Sequence, residues 1–137
     1  MRDAVLFAHI ILGAALAVLS IIILLEMKKR KSSILGPLSV LTAGISWFVL
    51  VPAGILYINF YPATKTLIKA GAWPWAHSIF METKEHWGLL LPVIATVAAG
   101  MVLTGRIRES RKWWLLLIAV TVLIGVMGRV VKLGAFA

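Results

Sequence analysis

Four stretches of the chain run without a charged side chain for lengths that match a lipid bilayer. They are Ala4–Leu25, Leu38–Tyr61, Trp87–Thr104 and Trp113–Gly128, the last continuing past Arg129 to Val131. At about 1.5 Å of rise per residue, such runs cross a hydrocarbon core of about 30 Å as helices. Strands with open edges would leave backbone groups unpaired in lipid, so helices are the only solution. The third run is near the lower length limit, and its helix is expected to enter from about residue 80. The pattern predicts spans at 4–25, 38–61, 80–104 and 113–131 with a connection at 62–79. The fold class is therefore all-α: an integral membrane four-helix bundle in a single domain, 1–137.

The polar segments between the runs are unequal. Glu26 to Ser33 is a short loop with Lys28, Lys29, Arg30 and Lys31, after which Gly36-Pro37 restarts the chain with a proline suited to a first helical turn. A second short loop carries Arg106, Arg108, Arg111 and Lys112. The long connection is mixed in charge, with Lys65, Lys69 and Lys84 against Glu82 and Glu85. Short basic loops stay in the cytoplasm. Both chain ends and the long connection are then expected outside, in a cytoplasmic (inner) membrane, with Arg2, Arg129 and Lys132 opposing the bias. Trp113 and Trp114 mark one interface, and Tyr57, Tyr61, Trp73, Trp75 and Trp87 the other, as an aromatic belt would. Within the connection, Ala63–Ala70 predicts a short surface helix ended by Gly71. Trp73-Pro74-Trp75 predicts a turn, and Ala76 onward predicts helix leading into the third span. Pro92 is expected to kink that span. Ala4–Leu25 is too long for the apolar region of a cleaved signal peptide.

Composition points to a membrane as well. Of the 137 residues, 61% are hydrophobic and 14% charged, against about 45–50% and about 25% in soluble domains. Mean hydropathy is +0.99. A soluble globule and a disordered chain are both excluded. The chain has no Cys, which removes disulfides, zinc–thiolate sites and iron–sulfur clusters. The net charge of +9 is concentrated in the short loops, so membrane orientation explains it and nucleic acid does not.

Ionisable groups inside spans are costly and are functional candidates by default. His9 lies in span one and His86 at the head of span three, each a similar distance before a basic loop. The halves read as a weak parallel repeat of two spans each, related by an axis along the membrane normal. Such an axis would bring both imidazoles together across the bundle, where they would be the axial ligands of one haem b iron. Gly13 below His9, with Gly125 and Gly128 in span four, would leave room for a flat ring. Arg129 and Lys132 would meet its propionates, and Tyr57, Asn59 and Tyr61 would add hydrogen bonds.

The same residues have plainer uses. His9 can bond a neighbouring helix, His86 can sit at the interface, Arg129 and Lys132 can snorkel, and the glycines can pack helices closely. Glu82, Glu85, His86 and His77 form a second constellation, suited to zinc, copper or iron at the outer surface, or to a charged helix face. A di-iron bundle is excluded because spans one, two and four hold no carboxylate. Ser20, Ser39, Thr42, Ser46, Thr96 and Thr121 have no neighbouring base and are expected to bond back to their own helices. No phosphate-binding loop is present, so hydrolase and NTPase readings are disfavoured.

With His9 in Ala8-His9-Ile10-Ile11-Leu12-Gly13 and His86 in Lys84-Glu85-His86-Trp87-Gly88, the chain resembles the small four-helix transmembrane b-type cytochrome subunits. The resemblance covers the four-span layout and no long motif. It implies a membrane-anchored electron-transfer subunit with one haem b near the outer leaflet, passing electrons between the quinone pool and a redox partner. It also implies membrane lipid and the subunits of a larger respiratory complex as partners, with quinone as a second ligand. Three histidines do not suffice for the two haems of dihaem members. The alternative reading is a cofactor-free accessory subunit that packs in a larger respiratory or transport complex. A small transporter is disfavoured because no charge lies at midspan.

Overall fold

A computed structural model describes residues 1–29 and 31–137; Arg30, counted above in the first basic loop, lies outside the described residues. The chain is helical almost throughout. Helix α1 is Arg2–Glu26, α2 Leu35–Phe48, α3 Leu50–Ile55, α4 Tyr61–Ala70, α5 Glu82–Leu103 and α6 Ile107–Gly134. Two π-helical turns, Leu56–Phe60 and Ala76–Met81, join α3 to α4 and lead into α5. The result is four rods, Arg2–Glu26, Leu35–Ala70, Ala76–Leu103 and Ile107–Gly134, each long and apolar enough to cross a membrane.

Proline explains the one interruption. Pro52 has no N–H for the Phe48 carbonyl, so the hydrogen-bond ladder is broken between α2 and α3 while the backbone at Val49 stays α-helical. Pro92 leaves α5 continuous, and the Thr96 hydroxyl donates to its carbonyl at 2.6 Å. The helix expected over Ala63–Ala70 and ended by Gly71 forms as α4, but it continues the second rod with no break after Tyr61. That rod runs on through α4 to Gly71, and at about 1.5 Å per residue its 36 residues exceed the membrane core, so α4 projects beyond it. The turn at Trp73–Trp75 and the helix from Ala76 follow the sequence expectation.

The rods form a square. α1 packs against α2 and α6, and α5 packs against the same two, so α1 and α5 stand on one diagonal, running parallel. One end of the bundle carries the short basic loops (the basic pole). The other carries Tyr57, Tyr61 and both chain ends (the tyrosine pole).

Two apolar cores hold the square together. The larger one, towards the basic pole, joins Leu16 and Ile23 of α1 to Leu91, Ala95, Ala98 and Ala99 of α5 and to Trp114, Leu117 and Val120 of α6. The alanines let α5 approach its neighbours closely, which is how helices associate in lipid. The smaller core, at the tyrosine pole, is Tyr61, Ile68, Ala76, Met81 and Val131. Ser20, Ser39, Thr42, Ser46, Thr96 and Thr121 all donate to carbonyls of their own helices at 2.6–2.8 Å, so they need no partner across the bundle.

Candidate functional site

Helical phase decides which polar side chains face the axis. On α1 the buried positions Leu16, Ser20 and Ile23 extend back through Gly13 to His9. Steps of three and four residues share a helix face, so His9 belongs to the inward stripe. On α5 the buried positions are Leu91, Pro92, Ala95, Ala98, Ala99 and Val102. Traced back, that stripe passes through Gly88, then Glu85 and Lys84, then Met81. His86 falls on the opposite stripe with Leu89, Leu90 and Val93, which are 61%, 48% and 51% exposed. On α6 the inward stripe includes Leu117, Val120, Gly128 and Val131.

The space between the two cores is where these stripes carry polar groups. Among the described residues, no buried apolar side chain lies between Met1 and Ala15 of α1, between Glu82 and Leu90 of α5, or between Thr121 and Val130 of α6. Instead this level holds His9, Lys84 and Glu85, with Tyr57, 41% exposed, at its edge. Three inward glycines widen it: a Cβ at Gly13 or Gly88 would meet nothing within 4 Å, and one at Gly128 would lie 3.4 Å from the Lys84 Cε. The His9 ring lies beside the Val49 carbonyl and within the field of Lys84. The Tyr57 hydroxyl approaches the Glu85 carboxylate. His9 Nδ1 and Glu85 Oε1 at this level, like Trp113 Nε1 and Trp114 Nε1 at the larger core, are buried without a hydrogen-bond partner. Buried polar atoms are normally satisfied, and leaving one unpaired costs about 1–3 kcal/mol. The arrangement supplies donors (the Tyr57 hydroxyl, the Lys84 ammonium) and proton acceptors (His9, Glu85) at one level of the bundle.

A second polar chain leads from this level towards the tyrosine pole. Tyr57 stacks on Tyr61, with ring centroids 5.6 Å apart. Tyr61 Oη and His77 Nδ1 are 2.8 Å apart, and His77 Nε2 lies 3.5 Å from Glu82 Oε1. With Nε2–H directed at the carboxylate, Nδ1 is the acceptor and the Tyr61 hydroxyl donates to it. His77 is buried and Glu82 partly open, so the chain connects the bundle interior to its surface.

The structure brings together only part of the predicted haem site. His9, Gly13, Tyr57 and Gly128 converge. His86 does not: its ring is exposed and its Nδ1–H donates to the Glu82 carbonyl of its own helix at 2.6 Å. Arg129 and Lys132 are exposed on the outward face of α6 together with Gly125. Asn59 donates back to the Ile55 carbonyl at 3.2 Å. One haem held between His9 and His86 of a single chain therefore does not fit this arrangement, since Lys84, Glu85 and Gly88 hold the α5 positions that face His9. Among the described residues, no group of three or more His, Asp and Glu side chains converges on a metal position, so Glu82, Glu85, His86 and His77 do not form the surface site considered above. The sequence reading puts Glu85 in a surface metal constellation or on a charged helix face, and Lys84 in the outer connection. The signal that places them inside is the alanine stripe of α5, followed back through Gly88.

No protein family, characterised protein or solved structure matches this chain.

Proposed function

We propose that the chain is a membrane-embedded subunit of a larger redox complex, and that the level of His9, Tyr57, Lys84 and Glu85 binds the headgroup of a quinone. The supporting observation is the pair of buried, unpartnered polar atoms, His9 Nδ1 and Glu85 Oε1, at the one level where the apolar core is interrupted. A quinone carbonyl accepts hydrogen bonds, and Tyr57 and Lys84 are donors. A quinol releases two protons and two electrons. His9 and Glu85 are bases for the protons, and the electrons go to a redox centre in a partner subunit. Tyr57, beside the Glu85 carboxylate and 41% exposed, lies where a proton from Glu85 would leave for the surface.

A shallow apolar depression on the lipid-facing surface supports an entry from lipid. It lies between α1 and the α2–α3 rod, lined by Ala4, Val5, Ala8, Leu12, Phe48, Val51, Pro52 and Ile55, next to His9 in sequence and to the Val49 carbonyl. An isoprenoid tail suits such a lining. By the positive-inside rule the basic pole lies in the cytoplasm of an inner membrane, and the quinone level then lies in the outer leaflet.

The test is a titration of the purified chain in lipid nanodiscs with decylubiquinone, read by quenching of its tryptophans. Saturable quenching in the wild type, weakened in His9→Ala and Glu85→Gln, is expected. Absence of saturable quenching removes the quinone. A reduced-minus-oxidised spectrum on the same sample supplies the competing outcome: a b-type band lost in His9→Ala would put haem at this level instead.

A further inference from the structure

The basic pole holds a second candidate site, independent of the quinone reading. A groove of about 280 Å³ lies between the end of α1 and the first turn of α6, lined by Lys28, Arg108 and Arg111 together with Leu24, Met27 and Ile107. Its cations have no described counter-ion. The two carboxylates of this pole are engaged elsewhere: Glu26 pairs with Lys29 and accepts from the Ser32 hydroxyl at 2.7 Å, and Glu109 pairs with Arg106. The opening turn of the 28-residue α6 adds its unpaired backbone N–H groups, with no side chain capping them. Half of the lining is apolar, and it sits where α1 and α6 leave their apolar spans.

We propose that this groove binds the headgroup of an anionic phospholipid. Arg108 and Arg111, one turn apart on α6, present planar guanidinium forks to the phosphodiester. Lys28 approaches from the turn that follows α1 as a point charge. Leu24, Met27 and Ile107 cover the first carbons of the acyl chains. A soluble polyanion would use the cations but leave the apolar floor unoccupied, whereas a lipid uses both. Basic pockets between transmembrane helices recognise anionic headgroups by this combination. Bound lipid would clamp α1 to α6 at the pole where only short loops join the rods.

Native mass spectrometry of the full chain in detergent tests this, with phosphatidylglycerol and phosphatidylcholine of identical acyl chains as probes. Phosphatidylglycerol is expected to stay bound to the wild type at least tenfold more than phosphatidylcholine. Arg108→Gln with Arg111→Gln is expected to abolish the preference. Lys31→Gln with Lys112→Gln, which removes the same charge outside the groove, is expected to keep it. Lys28→Gln, on the other helix, gives a second reading should the double variant fail to fold, and is expected to weaken retention. Equal losses in the groove and control variants, or equal retention of both lipids, would overturn the assignment. Displacement of phosphatidylglycerol by inorganic phosphate at equal concentration would also overturn it, by assigning the site to phosphate alone.

Discussion

His9 and His86 stand near the same end of two parallel, diagonally opposed helices, and only His9 turns towards the axis between them. The two imidazoles differ in phase, not in depth. Successive residues on a helix are about 100° apart, so Lys84 and His86 point to nearly opposite sides of α5. Lys84 takes the inward direction, reaching the backbone gap at Gly128, and His86 is left among the exposed Leu89, Leu90 and Val93.

The histidines should therefore respond differently to substitution. His9→Ala is expected to weaken decylubiquinone binding about tenfold, the worth of one hydrogen bond of about 1.4 kcal/mol. His86→Ala is expected to leave it unchanged within about twofold. Tryptophan quenching in nanodiscs measures both; equal effects would contradict the phase assignment.

Tyr61→Phe removes the hydroxyl that donates to His77 Nδ1 at 2.8 Å. It leaves a buried ring nitrogen without a partner, at a cost of about 1–3 kcal/mol. Unfolding of the detergent-solubilised variant by SDS titration should show that loss, because the ring itself still fills the small core.

Gly134 lets the end of α6 touch the start of the third rod. A Cβ there would lie 2.7 Å from the Ala76 Cβ. Gly134→Ala is expected to destabilise the protein by about 1–3 kcal/mol through overpacking. Gly44→Ala, at an exposed helical position with nothing within 4 Å, is the control and should be neutral or slightly stabilising, since alanine favours helix by up to about 1 kcal/mol. The same SDS titration compares them.

Two tryptophans separate packing from hydrogen bonding. Trp114 is fully buried in the larger core, and Trp114→Ala is expected to cost about 3–5 kcal/mol. Trp47 is exposed, and its indole N–H donates to the Thr96 hydroxyl at 3.0 Å across α2 and α5. Trp47→Phe is expected to cost only about 0.6 kcal/mol, the mean for such interhelical bonds in membranes. Thermal unfolding in detergent checks the order.

Four membrane-length helices, the limits of all but the second, the turn at Trp73–Trp75 and the self-bonding of the intramembrane serines and threonines were all readable from residue order. Each depends on local physics: apolar length against bilayer thickness, proline and glycine backbone preferences, and hydroxyls within reach of their own helix. His9 was legible as an inward group for the same reason, being one step up a stripe of Gly13, Leu16 and Ser20. The partners of His9 were not, because they depend on the rotation of α5 about its own axis. That rotation is set by the close packing of Ala95, Ala98 and Ala99 against α2 and α6. It carries Lys84 and Glu85 inward and His86 outward. Hydropathy of single residues favours the reverse, since lysine and glutamate are costlier in lipid than a neutral histidine, and only the packed tertiary structure shows that helix contact outweighs it.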